Sequence, residues 1–237
     1  MNSLDLLVIA PHPDDAELGV GGTIALHTSK GYQVGICDLT QGEMGTNGTI
    51  EIRRQESQNA AEILGVAVRE NLKIPDGFIR TTEENLKKTV SLIRKYRPET
   101  IITIYSEDDH PDHIHASQLV REAAHLSGLY KYPGKGEPFR PSNLYFFLAA
   151  RPKNPDLVVD ITSVHKTKID SILAHKSQLG LDEYAQGRDT RLTHPSFLER
   201  IKARDRYMGH LGRCELGEGL ICDRIPRIND LLSIGGA

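Results

Sequence analysis

Residues 4–23 read LDLLVIAPHPDDAELGVGGT, and the change of character at Pro11 decides the fold class. Leu4 to Ala10 is a nearly continuous apolar run, as found in strands that helices cover on both faces. Gly21-Gly22-Thr23 then opens a helix to about Lys30, Gly31 stops it, and Gln33 to Leu39 forms the next strand. This is a βαβ opening, and a parallel sheet follows from it.

The alternation persists along the chain. A helix from Thr49 to Leu64 closes at Gly65, a short strand follows near Val68 to Lys73, and Thr81 with Glu84 forms a capping box for a helix reaching Tyr96. Pro98 separates that helix from the β-branched strand Thr100 to Ile104, which reads as central. Beyond it come a polar loop from Tyr105 to Asp112, a helix from His113 to Leu126, and a Gly/Pro-rich loop from Ser127 to Ser142, long enough to suggest a function. Strands at Asn143 to Leu148 and Leu157 to Ile161, a helix from Ser163 to Ala174 and a charged helix from Pro195 to Met208 complete the pattern. The expected architecture is a three-layer α/β/α sandwich with a mostly parallel, Rossmann-like sheet, formed as one domain over residues 1–237.

Composition narrows the classes of function. The chain has 237 residues, 38% of them hydrophobic, enough for one sizeable core. Its formal net charge of -3, with no Lys/Arg run, argues against nucleic acid as a partner. Cys37, Cys214 and Cys222 include no CxxC pair, so neither a disulfide framework nor a thiolate zinc site is suggested. No stretch approaches the roughly 20 apolar residues of a membrane span, and the first residues lack a basic signal-peptide start. The expectation is a cytoplasmic protein with no membrane partner. Asn47-Gly48-Thr49, formally a glycosylation acceptor, then reads as a turn into a helix.

In such a fold ligands bind beyond the carboxyl ends of the strands, and two loops at that edge carry ligand-type residues. One is Pro11-His12-Pro13-Asp14-Asp15, the other Glu107-Asp108-Asp109-His110-Pro111-Asp112-His113. A hydrolytic zinc site needs three protein ligands from His, Asp or Glu with a position left for water, and His12, Asp15 and His113 can supply them. Two histidines and one carboxylate also suit iron(II). Taken separately, each loop also reads as a solvated turn whose aspartates cap a helix, Asp112 in the second case. Both falling at the same sheet edge favours the metal reading.

The stretch Val8-Ile9-Ala10-Pro11-His12-Pro13-Asp14-Asp15-Ala16-Glu17-Leu18-Gly19, with Gly22-Thr23 after it, resembles the signature of the PIG-L or LmbE-like N-deacetylases. His110-Pro111-Asp112-His113 is similar to that family's second motif, and Arg53 with Glu56 and Leu64-Gly65 to the helix between them. Ile36 to Thr40 and Asn47 to Glu51 resemble the bacillithiol branch, the deacetylases of N-acetylglucosaminyl malate. The likeness spans about residues 4 to 223, with Pro11 where the family often has alanine and an atypical Leu216-Gly217-Glu218-Gly219. It implies Zn2+ on His12, Asp15 and His113, Asp14 as general base, a protonated His110 as electrostatic or acid partner, and Arg53 at the substrate. It further implies a small amino-sugar conjugate as substrate and a homo-oligomer such as a hexamer; the division of roles between Asp14 and Asp15 rests on the resemblance alone. Arg140 and His194 are weaker substrate-binding candidates, Arg140 as a partner for a carboxylate and His194 beside a helix start. His115 points elsewhere on its helix, and His27, His125, His165, His175 and His210 have no ligand spacing.

Two rival readings remain. A nucleotide-binding domain is weakened because Gly19-Val20-Gly21 lacks the third glycine of the dinucleotide fingerprint and because Asp14 and Asp15 repel a pyrophosphate. A non-catalytic sugar-binding protein is opposed by the presence of Asp14 and His110 beside the ligands. Among amino sugars, a chitin-oligosaccharide or N-acetylglucosamine is the alternative substrate.

Overall fold

The computed structural model describes residues 3–149, 151, 153–181 and 188–228. Its opening unit is β1 (Leu6–Ala10), α1 (Asp15–Ser29) and β2 (Val34–Asp38), followed by α2 (Ile50–Leu64), β3 (Val68–Asn71), α3 (Glu83–Tyr96) and β4 (Thr100–Ile104). Then come α4 (Pro111–Leu126), β5 (Asn143–Phe147), β6 (Leu157–Asp160), α5 (His165–Leu173), α6 (Lys176–Leu179), α7 (Phe197–Gly212) and β7 (Gly217–Cys222). Every residue of β1 and β2 is buried, because helices cover both faces of the sheet there.

The strands lie in the order β3-β2-β1-β4-β5-β7-β6. Chain direction across the sheet reverses between β1 and β4, which pair in parallel with Leu6 opposite Thr100. With right-handed crossovers this reversal sends the helices after β1 and β2 to one face and those after β3 and β4 to the other. Accordingly α1, α2 and α5 pack together, and α3 packs on α4. A crevice opens at the switch point, beyond the carboxyl ends of β1 and β4.

Helix α1 begins at Asp15, earlier than the glycines suggest, and breaks at Val20 (φ -140°, ψ 25°) before resuming. The break is satisfied on both sides. Glu218 accepts from the backbone N–H of Gly22 at 2.9 Å and of Thr23 at 2.7 Å, and Arg204 donates to the Leu18 carbonyl. Glu218 also lies 2.8 Å from the wholly buried Lys168 ammonium, which Asp205 approaches to 2.8 Å from α7.

The sequence gives no warning of β7, since Gly217 and Gly219 read as loop. They are glycine because the strand lies against its neighbours. A Cβ on Gly217 would stand 2.6 Å from Val158, and one on Gly219 would stand 2.7 Å from the Met208 sulfur. Antiparallel β7 joins β5 to β6 and is the one reversed strand among the described residues. The loop expected to carry function, Ser127 to Ser142, instead returns across the amino ends of the strands. Buried Arg94 organises it, donating to the carbonyls of Ser127, Leu129, Tyr132 and Gly134. No helix among the described residues is long and apolar enough to cross a membrane.

Replacing Glu218 with alanine uncaps the second half of α1 and leaves Lys168 short of one counter-charge. A loss of about 3 kcal/mol in unfolding free energy is expected, measured by denaturant titration; a loss below about 1 kcal/mol would show that the cap contributes little.

Candidate metal centre

The loop from β1 into α1 is pinned before any side chain reaches the crevice. Thr40 donates its N–H and its hydroxyl to the Pro11 carbonyl, each at 3.1 Å, and Arg53 Nη2 donates to the Pro13 carbonyl at 2.8 Å. These bonds hold Asp14 at φ 133°, a positive value that costs a non-glycine residue about 1–3 kcal/mol. Asp15, the first residue of α1, folds back so that its Oδ2 accepts from the His12 N–H at 3.0 Å.

Across the switch point His110 caps α4. Its Nδ1 accepts the Asp112 N–H at 3.2 Å, so the N-cap is His110, whereas Asp112, expected there, faces inward. Helix α4 places His113 one turn in, and the histidine rings gather, with centroids 4.9 Å apart for His12 and His110 and 4.8 Å for His110 and His113.

His12, Asp15 and His113 each present one donor atom, and these lie within 4.8 Å of one another. Asp15 Oδ2 is 3.1 Å from His12 Nδ1 and 3.4 Å from His113 Nε2. A tetrahedral ion with bonds of about 2.1 Å has donor-to-donor edges of about 3.4 Å, and the two edges that meet at Asp15 are near that length. The other ring nitrogen of each histidine faces carboxylates. His12 Nε2 is 3.0 Å from Asp76 Oδ1 and 3.3 Å from Asp112 Oδ2, and His113 Nδ1 is 3.0 Å from Asp108 Oδ1. Carboxylates so placed fix ring orientation and raise the basicity of the nitrogen facing the ion. A second group, His12, His110 and Asp112, also gathers. It is a poorer cradle, because His110 Nδ1 takes a backbone N–H and the Asp112 oxygens accept from Gly77 and Ile79.

The charge balance points the same way. Burial disfavours charged His12 and His113, but the carboxylates facing them prevail: His12 is raised well above its ordinary value, and His113 to about 9. The same histidines hold Asp15 well below the carboxylate range despite its burial. A pocket that forces two imidazoles toward the cation is built to contain positive charge. Asp14 differs, because burial lifts it to about 6 although Arg53 Nη2 lies 3.5 Å away and opposes the rise. His110 is lowered, by burial and then by the charges of His12 and His113. With Nδ1 accepting the Asp112 N–H, the ring carries its proton on Nε2.

The three substrate-binding candidates fall in different places. Arg53 is 4% exposed, donates to the Gly42 and Pro13 carbonyls and has Nη2 3.5 Å from Asp14, so it braces the loop beside the crevice. Arg140 lies at the opposite end of the sheet, just before β5, donating to the His125 carbonyl. His194 is exposed, and its Nδ1 accepts the Ser196 N–H ahead of α7, which is a turn contact. Asp76 escapes sequence reading because Pro75-Asp76-Gly77 looks like an ordinary turn; its position just after β3, at the same edge, was the available signal.

A PIG-L family description, GlcNAc-PI de-N-acetylase, matches residues 7–124. The chain is 33% identical over 192 residues to a diacetylchitobiose deacetylase of Thermococcus kodakarensis, covering 75% of this chain and 71% of that protein. It is 32% identical to a 4-oxalmesaconate hydratase of Pseudomonas putida, covering 75% of each. To a probable N-acetyl-alpha-D-glucosaminyl L-malate deacetylase 2 of Bacillus cereus it is 31% identical, covering 73% of this chain and 83% of the other. The crystal structure of a conserved protein from Thermus thermophilus superposes with a TM-score of 0.88 at 38% identity, covering 97% of this chain and 99% of that one. The chain belongs to the PIG-L family, and is an enzyme of its amide-hydrolysing, deacetylase class.

Asp76 reaches past His12 as well: its Oδ2 accepts the Met44 N–H at 2.9 Å, and its own N–H donates to Glu43. Asp76→Ala should therefore weaken zinc binding about 10–100-fold in equilibrium dialysis against a competing chelator. Unchanged affinity would mean that His12 needs no such partner.

Proposed function

We propose that this chain removes the acetyl group from the amino nitrogen of an N-acetylglucosamine conjugate, with a divalent ion on His12, Asp15 and His113. The observation that carries the reading is the pairing of that donor set with Asp14, a buried carboxylate raised to about 6 at its edge. When bound, the ion lowers the pKa of a coordinated water and polarises the amide carbonyl. Asp14 accepts the proton as water attacks, because a base near neutrality both holds the correct state and drives the transfer. The Nε2–H of neutral His110 donates to the oxygen on which negative charge develops. The proton on Asp14 then passes to the leaving nitrogen, and acetate and a free amine result. Arg53 works through the loop, holding Asp14 in its strained backbone conformation.

Zinc is the metal we propose, with iron(II) served by the same donors. For the substrate we propose N-acetylglucosaminyl L-malate, as in bacillithiol synthesis, with a chitin-oligosaccharide as the alternative. Exposed Met44 and Phe78 stand on loops that bond to Asp76 and Asp112, where an apolar sugar face can lie. Besides Arg53, a cation available to a malate carboxylate is Arg80, half exposed, with Nη1 4.0 Å from Asp112 Oδ1. The hydratase among the relatives supports a second reading, water addition to an unsaturated acid at the same site.

The deciding assay follows acetate release from N-acetylglucosaminyl malate and from diacetylchitobiose, and hydration of 4-oxalmesaconate, by chelated enzyme with and without zinc. Asp14→Asn should keep stoichiometric zinc and lose activity about 10²–10⁴-fold; full activity in that variant refutes the base. Arg80→Ala should raise KM for the malate conjugate and leave diacetylchitobiose unaffected. Zinc-dependent hydration without acetate release would replace the deacetylase reading.

A further inference from the structure

Arg140 fails as a residue of the metal centre but helps line a second concavity. A cleft of about 530 Å3 opens beside the amino ends of β4 and β5, where Thr100 pairs with Asn143, at the end of the sheet away from the metal centre. Its charged lining is Arg121, Arg140, Arg224 and Arg227 with His125, and a single carboxylate, Asp223. In a chain of net charge -3, four arginines at one cleft form a local excess of the opposite sign.

Part of this lining is held in place. Arg140 Nη2 donates to the His125 carbonyl at 2.9 Å, and its stem crosses Gly128, where a Cβ would stand 2.9 Å from the Arg140 Cβ. Arg121 Nε lies 2.9 Å from Asp223 Oδ1, and Asp223 is itself fixed by donating its N–H to the Leu144 carbonyl at 3.1 Å. Asp223 offsets Arg121 and, at 3.8 Å, part of Arg224. Arg140 and Arg227 have no carboxylate partner among the described residues. Arginines lining one space carry guanidinium groups that match the oxygens of a phosphate or paired carboxylates, and the volume suits a small molecule.

We propose that this cleft is a second ligand site, separate from the metal centre, for a small molecule bearing a doubly charged oxyanion such as a phosphate ester. A ligand there would bridge α4, the loop before β5 and the segment after β7.

Isothermal titration with inorganic phosphate at low ionic strength tests this, on both metal-free and zinc-loaded protein, with succinate run alongside to separate phosphate from carboxylate ligands. Saturable binding of equal affinity in the two forms is expected. Arg140→Gln and Arg227→Gln should each weaken it about tenfold and together abolish it, with zinc content unchanged as a check on folding. Asp223→Asn, which removes the opposing charge, should bind at least as tightly as the parent. The proposal is overturned if neither anion binds saturably, if binding occurs only in the zinc-loaded protein, or if the double arginine variant binds like the parent.

Discussion

Negative charge confined at the switch point is the constraint around which this molecule is arranged. Asp14, Asp15, Asp76, Asp108 and Asp112 are all buried within reach of two histidines, and carboxylates so placed are tolerable only beside compensating cations. His12 and His113 meet that demand by taking up protons, and Arg53 meets part of it beside Asp14. A divalent ion on the same donors would supply more charge and release those protons. The carboxylates behind the histidines therefore align the ligands and also create the field that makes an ion welcome.

The fold keeps this charge in place through contacts remote from it in sequence. Arg53 on α2 grips the turn after β1, Asp112 on α4 binds the N–H groups of Gly77 and Ile79, and Glu43 and Asp76 exchange bonds between the loops after β2 and β3. Four strand ends are thus tied to one another at the crevice, and small displacements of any one loop are resisted by the others. Such rigidity suits a site whose chemistry depends on holding a water, a carbonyl and a base within a few tenths of an ångström.

Much of this was readable from residue order. Apolar strand runs and helix stops located β1 to β6 and the helices between them, and the two histidine loops were correctly placed at one edge because parallel strands must end together. What escaped had a physical reason in each case. Gly217 and Gly219 lower strand propensity, yet they are what close packing on Val158 and Met208 requires, so β7 was invisible to a local reading. Arg53 and Arg140 carry the same charge in sequence, and only the tertiary structure reveals that one is enclosed under a loop and the other faces a different cleft. Asp76 sits in an unremarkable turn, and its partnership with His12 exists only across the sheet.

The break in α1 ties early and late parts of the chain together in time as well as in space. Gly22 and Glu218 are 196 residues apart, and the N–H groups of the resumed helix have no carboxylate to accept them until β7 has been made. At ribosomal speeds that interval is on the order of 10–40 s. Throughout it the helix that carries Asp15 lacks its cap, and Lys168, once made, lacks both counter-charges until Asp205 and one of them until Glu218. The second half of α1, encoded almost first, is thus among the last regions to be completed during synthesis, and a chain broken off before β7 leaves it uncapped.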